Sequence, residues 1–294
     1  MNIGELIQKR RKQIGMTQKE LARGICVQAT ISKIELNKLM PSNTLLKKLA
    51  DRLEVSISYF FGGKTTSAND NEVKNLINEV RLTLNQTENK KVLKLLQQNQ
   101  ALIDSLYDVD HINYFNMIKA YLDYYLFDKR EQAIRHLNTI LENQQINKYL
   151  KIDILSILGI IHYEEKKADK ADKHFENAIN LFDDLTPIQT KSRILLNYAL
   201  NLEDLGQDRK SMNIVLEGIE SLLENQSMYS LGYFYSHKAY LFNKFGDLGE
   251  AIKAYETAEF FFDILNYSKM HAFVKMNLSE LRQKRKENVR EKSD

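Results

Sequence analysis

The chain has 294 residues, 43% of them hydrophobic and 28% charged, with only two prolines and eleven glycines; that balance excludes a disordered chain and a turn-rich all-β fold and favours long helices. One cysteine, Cys26, excludes an intrachain disulfide, the N-terminal MNIGELIQKRRKQ has no apolar core of a secretion signal, and no run of 18 uncharged apolar residues occurs, so a cytoplasmic protein with no membrane partner is expected. The net charge of +3 hides an asymmetry: residues 1–64 carry 12 basic and 5 acidic side chains, +7, and the rest 30 and 34, −4, which points to a polyanionic partner for the N-terminal part alone.

In chain order, Ile3, Leu6, Ile7 and Ile14 recur at helical spacing from Asn2 to Gly15, with Lys9 to Lys12 mostly outward. Thr17 and Glu20 have capping-box spacing; Leu21 and Ala22 give the helix they open an inner face, and Gly24 ends it. A second short helix from about Gln28 to Leu36 turns Ile31 and Ile34 inward and leaves Gln28, Ala29, Ser32 and Lys33 on a polar outer face. Two short helices across a tight turn, the second with a polar outer face, read as a helix-turn-helix. Ser42 or Asn43 caps a fourth helix carrying Leu45, Leu46, Leu49, Ala50 and Leu53, and a fifth runs from Glu54-Val55-Ser56 into Tyr59-Phe60-Phe61. Cys26, at the turn, reads as a small packing residue.

GGKTTSANDN, 62–71, is polar and aperiodic, a domain boundary. Asp70 or Asn71 caps a helix from Glu72 to Leu84, followed by one from about Glu88 to Ser105. Beyond them the sequence repeats. Ala133, Ala171, Ser211 and Ala251 are spaced by 38, 40 and 40 residues; four residues after each come Leu137, Phe175, Val215 and Tyr255, and three further on Ile140, Ala178, Gly218 and Ala258. Twelve or thirteen residues upstream stand Ala120, Gly159, Ala199 and Ala239. Small residues at facing positions let antiparallel helices approach, and the bulky one fills the next groove. Gly206-Gln207-Asp208 and Gly246-Asp247 read as turns within pairs, and Thr186-Pro187-x-Gln189 as a helix start with proline at its first position and a capping box. A last helix, Tyr267 to about Lys284 with Phe273, Met276 and Leu281 inward, closes the array before a charged tail.

The pattern R-x5-MTQKELA…ISKIE-x5-PS-x3-L-x-x-LA-x-x-LEVSISYFF resembles the Xre/Cro-type helix-turn-helix domain, and the repeats resemble tetratricopeptide repeats lengthened from 34 residues. The whole resembles the PlcR/PrgX/NprR group of peptide-responsive quorum-sensing regulators. The resemblance implies an all-α fold: a five-helix DNA-binding domain (1–64), a linker (65–71), about five degenerate helix pairs and a closing helix (72–285), and a charged tail (286–294). It implies a homodimer placing two recognition helices in successive major grooves, about 34 Å apart, of a pseudo-palindromic double-stranded operator, under control of a short signalling peptide in a concave groove lined by first helices. It also implies an Arg10–Glu35 pair inside the domain.

Gln28, Ala29 and Lys33, with Thr30 and Ser32 adjacent, are the expected base readers, since glutamine pairs an adenine edge and lysine reaches guanine; Gln18, Arg11, Lys38 and Asn43 are expected at phosphates. The expected peptide contacts are Asn197, which stands where the group has a backbone-gripping asparagine, with Ser156, Tyr163, Arg193, Leu200, Tyr235, Ser236 and Met270; Ile160, Leu196, Asn116 and Lys119 share those faces. Ser156 replaces a second expected asparagine. The competing reading is a DNA-anchored adaptor whose repeats dock a protein partner on a flatter, more charged surface. No nucleotide-binding, hydrolase or metal-ligand spacing occurs, and His111, His136, His162, His174, His237 and His271 read as structural or surface residues, so no enzyme, cofactor or metal is expected.

Overall fold

A computed structural model describes residues 2–55, 59–60, 68–85, 88–106, 108–143 and 146–291. Every regular element among them is helical. The chain divides into two compact units, Met1–Arg130 and Glu131–Asp294.

The first unit opens with α1 (Ile3–Gln13), α2 (Gln18–Ala22), α3 (Gln28–Glu35) and α4 (Asn43–Arg52). Capping boxes start α1 at Asn2 with Glu5 and α2 at Thr17 with Glu20, and the Ser42 hydroxyl accepts from the Leu45 N–H at the start of α4. Gly15 and Gly24 hold φ of +70° and +71° where the chain leaves α1 and α2, a conformation open to glycine at little cost. Ile7, Leu21, Ile31, Ile34, Leu46, Leu49 and Leu53 form one buried core, with Cys26 packed against it. Gly4 lets α1 press on α3: a Cβ there would lie 2.0 Å from the Ile34 carbonyl oxygen. Most of the predicted fifth helix, residues 56–58 and 61, lies outside the described residues; Tyr59 and Phe60 form a single 3₁₀ step, with Phe60 buried in this core.

Further on lie α5 (Ala68–Asn85), α6 (Asn89–Gln98), α7 (Gln100–Asp104) and α8 (Val109–Phe127). Residues 65–67 of the predicted linker fall outside the described residues, and from Ala68 the chain is already helical. Asp70 and Asn71 therefore stand inside α5 rather than capping it. The helix predicted to run to Ser105 is broken at Asn99 into α6 and α7.

The second unit comprises α9 (Arg130–Leu141), α10 (Lys148–Glu164), α11 (Ala168–Ile179), α12 (Ile188–Asp204), α13 (Asp208–Glu224), α14 (Leu231–Lys244), α15 (Leu248–Ile264) and α16 (Ser268–Glu291). From α10 onward each helix packs on the next, and α10 also touches α12. The repeat register is the packing register. Ala133, Ala171, Ser211 and Ala251 are wholly buried, as are Leu137, Phe175 and Val215, with Tyr255 only 4% exposed. Gly159 faces the Phe175 ring and Gly218 the Phe234 ring, where a Cβ would lie 2.6 and 2.2 Å from ring carbons. The Ser211 hydroxyl donates to the Ala199 carbonyl at 2.7 Å, joining two of the small-residue positions. Gly206 and Gly246 take φ of +71° and +85° at their turns.

Three local expectations change. Thr186 makes no capping box: its hydroxyl donates to Asp183 Oδ1 at 2.8 Å, and Pro187 is itself the N-cap of α12. The last helix continues to Glu291, so most of the predicted charged tail is helical, 292–294 lying outside the described residues. Its buried face is Val274, Leu278 and Leu281, while Phe273 and Met276 are 47% and 54% exposed.

Candidate functional site

Two sets of side chains carry the functional reading, one in each unit. In the first, α3 presents Gln28, Ala29 and Lys33 to solvent, with Thr30 and Ser32 half-buried beside them and Lys38 exposed just beyond. Ile31 and Ile34 anchor the opposite face, each at most 1% exposed, so the outer residues are held at fixed angles. Val27, the N-cap of α3, is 69% exposed beside Gln28 and Ala29. A β-branched apolar residue just before a helix gives no signal in the sequence that it faces outward. Cys26 is half-buried, and burial pushes its thiol above the ordinary range, as suits a packing residue.

The position of α3 rests on Glu35 in its last turn. Arg11 grips this carboxylate with two bonds, Nε to Oε1 at 2.6 Å and Nη2 to Oε2 at 2.9 Å. Gln18 Nε2 donates to Oε2 at 2.8 Å and Gln8 Nε2 at 3.4 Å. Burial pushes the Glu35 carboxyl up, but these donors outweigh it and hold the group below its usual range. Arg11 also donates from Nη1 to the Met16 carbonyl at 2.7 Å. Arg11 is therefore interior, 7% exposed, and not the phosphate contact expected. The predicted partner of Glu35, Arg10, instead donates Nε to the Leu53 carbonyl at 3.0 Å. Gln18 is half-buried and engaged with Glu35. The Asn43 side chain lies outside the described residues.

In the second unit, α10 and α12 are first helices of successive pairs. Asn197 is half-buried, its Nδ2 donating to the Arg193 carbonyl one turn back at 2.8 Å. Arg193 reaches across to α10, Nη2 donating to Asp153 Oδ1 at 3.3 Å. Asp153 lies 40 residues before Arg193, at the same place in the preceding repeat, and was missed because an acidic residue on a predicted helix reads as solvated surface. Ile157, Ile160, Leu196 and Leu200 are half-buried on these two helices. Tyr163 is half-buried, with Lys166 Nζ 5.5 Å from its ring centre and its phenol pushed up by burial.

Ser156 and Ser236 do not join this face. They are 1% and 9% exposed and stand 80 residues apart at one repeat position, which points into the packed layer. Tyr235 stacks on Phe261, ring centres 6.0 Å apart, and Met270 is half-buried against the core of α14, α15 and α16. The structure thus brings together Arg193 and Asn197 with Asp153, leaves Leu200 half-buried further along α12, and puts the two serines in the packed layer instead. Among the described residues, no group of three or more His, Cys, Asp or Glu side chains is placed to hold a metal ion, and no helix is long and apolar enough to cross a membrane.

Comparison with known proteins finds two families along the chain, the second running across Arg130. Residues 7–60 match the helix-turn-helix family and residues 75–281 match the RNPP family C-terminal domain. Bacillus thuringiensis PlcR in complex with the peptide PapR7 and DNA is 24% identical, over 94% of this chain and 98% of that one, with a TM-score of 0.62. ComR from S. thermophilus in complex with DNA and its signalling peptide ComS is 17% identical, over 95% and 99%, with a TM-score of 0.55. ComR from Streptococcus vestibularis with its cognate signalling peptide XIP is 15% identical, over 95% and 98%, at 0.56. At these identities the likeness is one of fold. No curated protein matches the chain.

Proposed function

The chain belongs to the RNPP family, and from that premise we propose that it is a sequence-specific, DNA-binding transcriptional regulator controlled by a short signalling peptide. It acts in the cytoplasm as a homodimer on a pseudo-palindromic operator. Gln28, Ala29 and Lys33 read base edges, with Thr30 and Ser32 beside them and Val27 supplying an apolar edge suited to a thymine methyl. Lys38 and Asn43 bear on phosphates. The peptide lies along α10, α12 and α14, held by Asn197, Arg193 and Leu200 and flanked by Tyr163, Tyr235 and Met270.

The observation that carries this reading is the α3 face: polar, exposed, and backed by two wholly buried isoleucines and the Glu35 network. The half-buried face of α10 and α12 favours a peptide over a docked protein, because it is apolar and amide-bearing rather than densely charged. Peptide acts through a difference in affinity between two arrangements of the dimer. The test is selection of binding sites from random duplex DNA by the full chain, then titration of the selected duplex with and without peptide extracted from culture supernatant of the producing cell. A two-fold symmetric site whose affinity changes with peptide is expected; an asymmetric or sequence-blind pool, or an affinity indifferent to the extract, overturns the reading.

A further inference from the structure

Arg11 and Arg193 each meet a carboxylate on a neighbouring helix, and they do so unequally. Arg11 uses both Nε and Nη2, at 2.6 and 2.9 Å, on Glu35. Arg193 reaches Asp153 with Nη2 alone, at 3.3 Å, while its Nε is buried without a hydrogen-bond partner. A guanidinium edge is matched to two oxygens at once, and a buried donor left unpaired is costly. Arg193 therefore stands as a half-filled receptor for a carboxylate.

Its surroundings strengthen that reading. Arg193 and Asp153 occupy the same position in successive repeats, on α12 and α10, which touch directly. Ile157 and Ile160 on α10, and Leu196 and Leu200 on α12, are half-buried and lower the local dielectric in which a charge pair forms. Asn197, one turn along, uses one amide N–H on the Arg193 carbonyl and keeps its second N–H and its acceptor oxygen for a ligand.

Resting on the assignment of this face to a peptide, we propose that Arg193 selects ligands bearing a carboxylate, which takes Nε and Nη2 together and displaces Asp153 from Nη2. The carboxylate is a peptide C-terminus or an acidic side chain; the guanidinium edge accepts either. Asp153 acts as a competitor in the site, so its loss has the opposite effect from loss of Arg193. A pair that merely braced α10 against α12 would weaken binding whichever partner was removed.

The experiment uses the immobilised full chain and three synthetic pools of random heptapeptides: free-acid without Asp or Glu, amidated with Asp and Glu, and amidated without either. Retained peptides are quantified by mass spectrometry. One of the carboxylate-bearing pools is expected to be retained at least about tenfold over the neutral pool, and which one identifies the source of the carboxylate. Arg193→Ala and Arg193→Lys lose that preference while still retaining peptide, since a lysine offers one point charge rather than an edge; Asp153→Asn keeps or increases it. Equal retention of all three pools, a preference surviving in Arg193→Ala, or a preference lost in Asp153→Asn overturns the proposal and leaves the peptide site standing. No retention from any pool overturns the peptide assignment itself, and this proposal with it. Thermal unfolding of each variant separates loss of selectivity from loss of fold.

Discussion

Arg11 and Glu35, 24 residues apart, are joined by two hydrogen bonds of 2.6 and 2.9 Å inside the N-terminal core. Their side chains are only 9% and 0% exposed. Removing one partner strands the other charge, so Arg11→Met alone should lower stability by about 3–5 kcal/mol. Arg11→Met with Glu35→Leu should recover much of that loss, because two apolar groups leave nothing unpaired. Urea unfolding of the single and double variants measures the difference; equal losses in both would show that the pair is not the tie between α1 and α3.

Gly4 gives a second handle on the same contact. An alanine inside α1 would by propensity favour the helix by up to about 1 kcal/mol. Its Cβ, however, would lie 2.0 Å from the Ile34 carbonyl oxygen and 2.6 Å from Asn37 Oδ1. Backbone cannot step aside as a side chain can, so Gly4→Ala should destabilise by about 1–3 kcal/mol and shift α3 enough to weaken specific DNA binding. An unchanged or raised melting temperature would refute this.

On the α3 face the roles separate by experiment. Gln28→Ala should change the preferred site, at about 1–3 kcal/mol for one base pair. Lys38→Ala should weaken every duplex alike and flatten the salt dependence of binding. Competition with a panel of single-base operator variants at two salt concentrations checks both. If the two substitutions weakened all sites by one common factor, the division into base and phosphate contacts would fail.

Three histidines make the second unit sensitive to acid. His237 is 8% exposed; burial holds its pKa down at about 4, with Asp208 opposing and Lys244 reinforcing the shift. Glu203 lies 3.8 Å away and Ser211 3.2 Å away, and burial prevails over the nearby acids. His174 is likewise held at about 4 by burial and by His162 stacked 5.2 Å from it, and His162 is lowered chiefly by burial. For His237 and His174 the unfolded chain takes up the proton from pH 6.5 downward and the folded chain only near pH 4. Their contribution is thus fully present above pH 6.5 and is lost as pH falls towards 4, at on the order of 1 kcal/mol per pH unit for each group. Urea midpoints at pH 7, 6 and 5 should fall accordingly, and His237→Gln should make the fall shallower. A pH-independent midpoint would contradict it.

Much of this architecture is legible in the sequence because it rests on local signals. Thr17 and Glu20 declare a capping box by spacing alone, and glycine at the end of an apolar-periodic stretch marks the left-handed turns at Gly15, Gly24, Gly206 and Gly246. The small positions at Ala171, Ser211 and Ala251 declared the repeat, and their complete burial shows the period to be one of packing. The candidate site was less legible. Asp153 carries no motif, and its meaning appears only when Arg193 is brought beside it. Ser156 sits one residue from the half-buried Ile157, and adjacent residues on a helix point about 100° apart.

Composition, capping and a forty-residue spacing by themselves determined an all-helical chain, a helix-turn-helix whose outer face carries Gln28 and Lys33, and the register in which the later helices stack. These are properties of short stretches, or of repetition, and need no knowledge of what lies opposite. The tertiary structure alone decided that Arg11 rather than Arg10 meets Glu35, that Ser156 and Ser236 turn inward while Phe273 and Met276 turn out, and that Arg193 stands against Asp153. Each depends on the angle and offset at which two helices cross, and a rotation of one residue, invisible to the spacing of apolar positions, exchanges a buried partner for an exposed one.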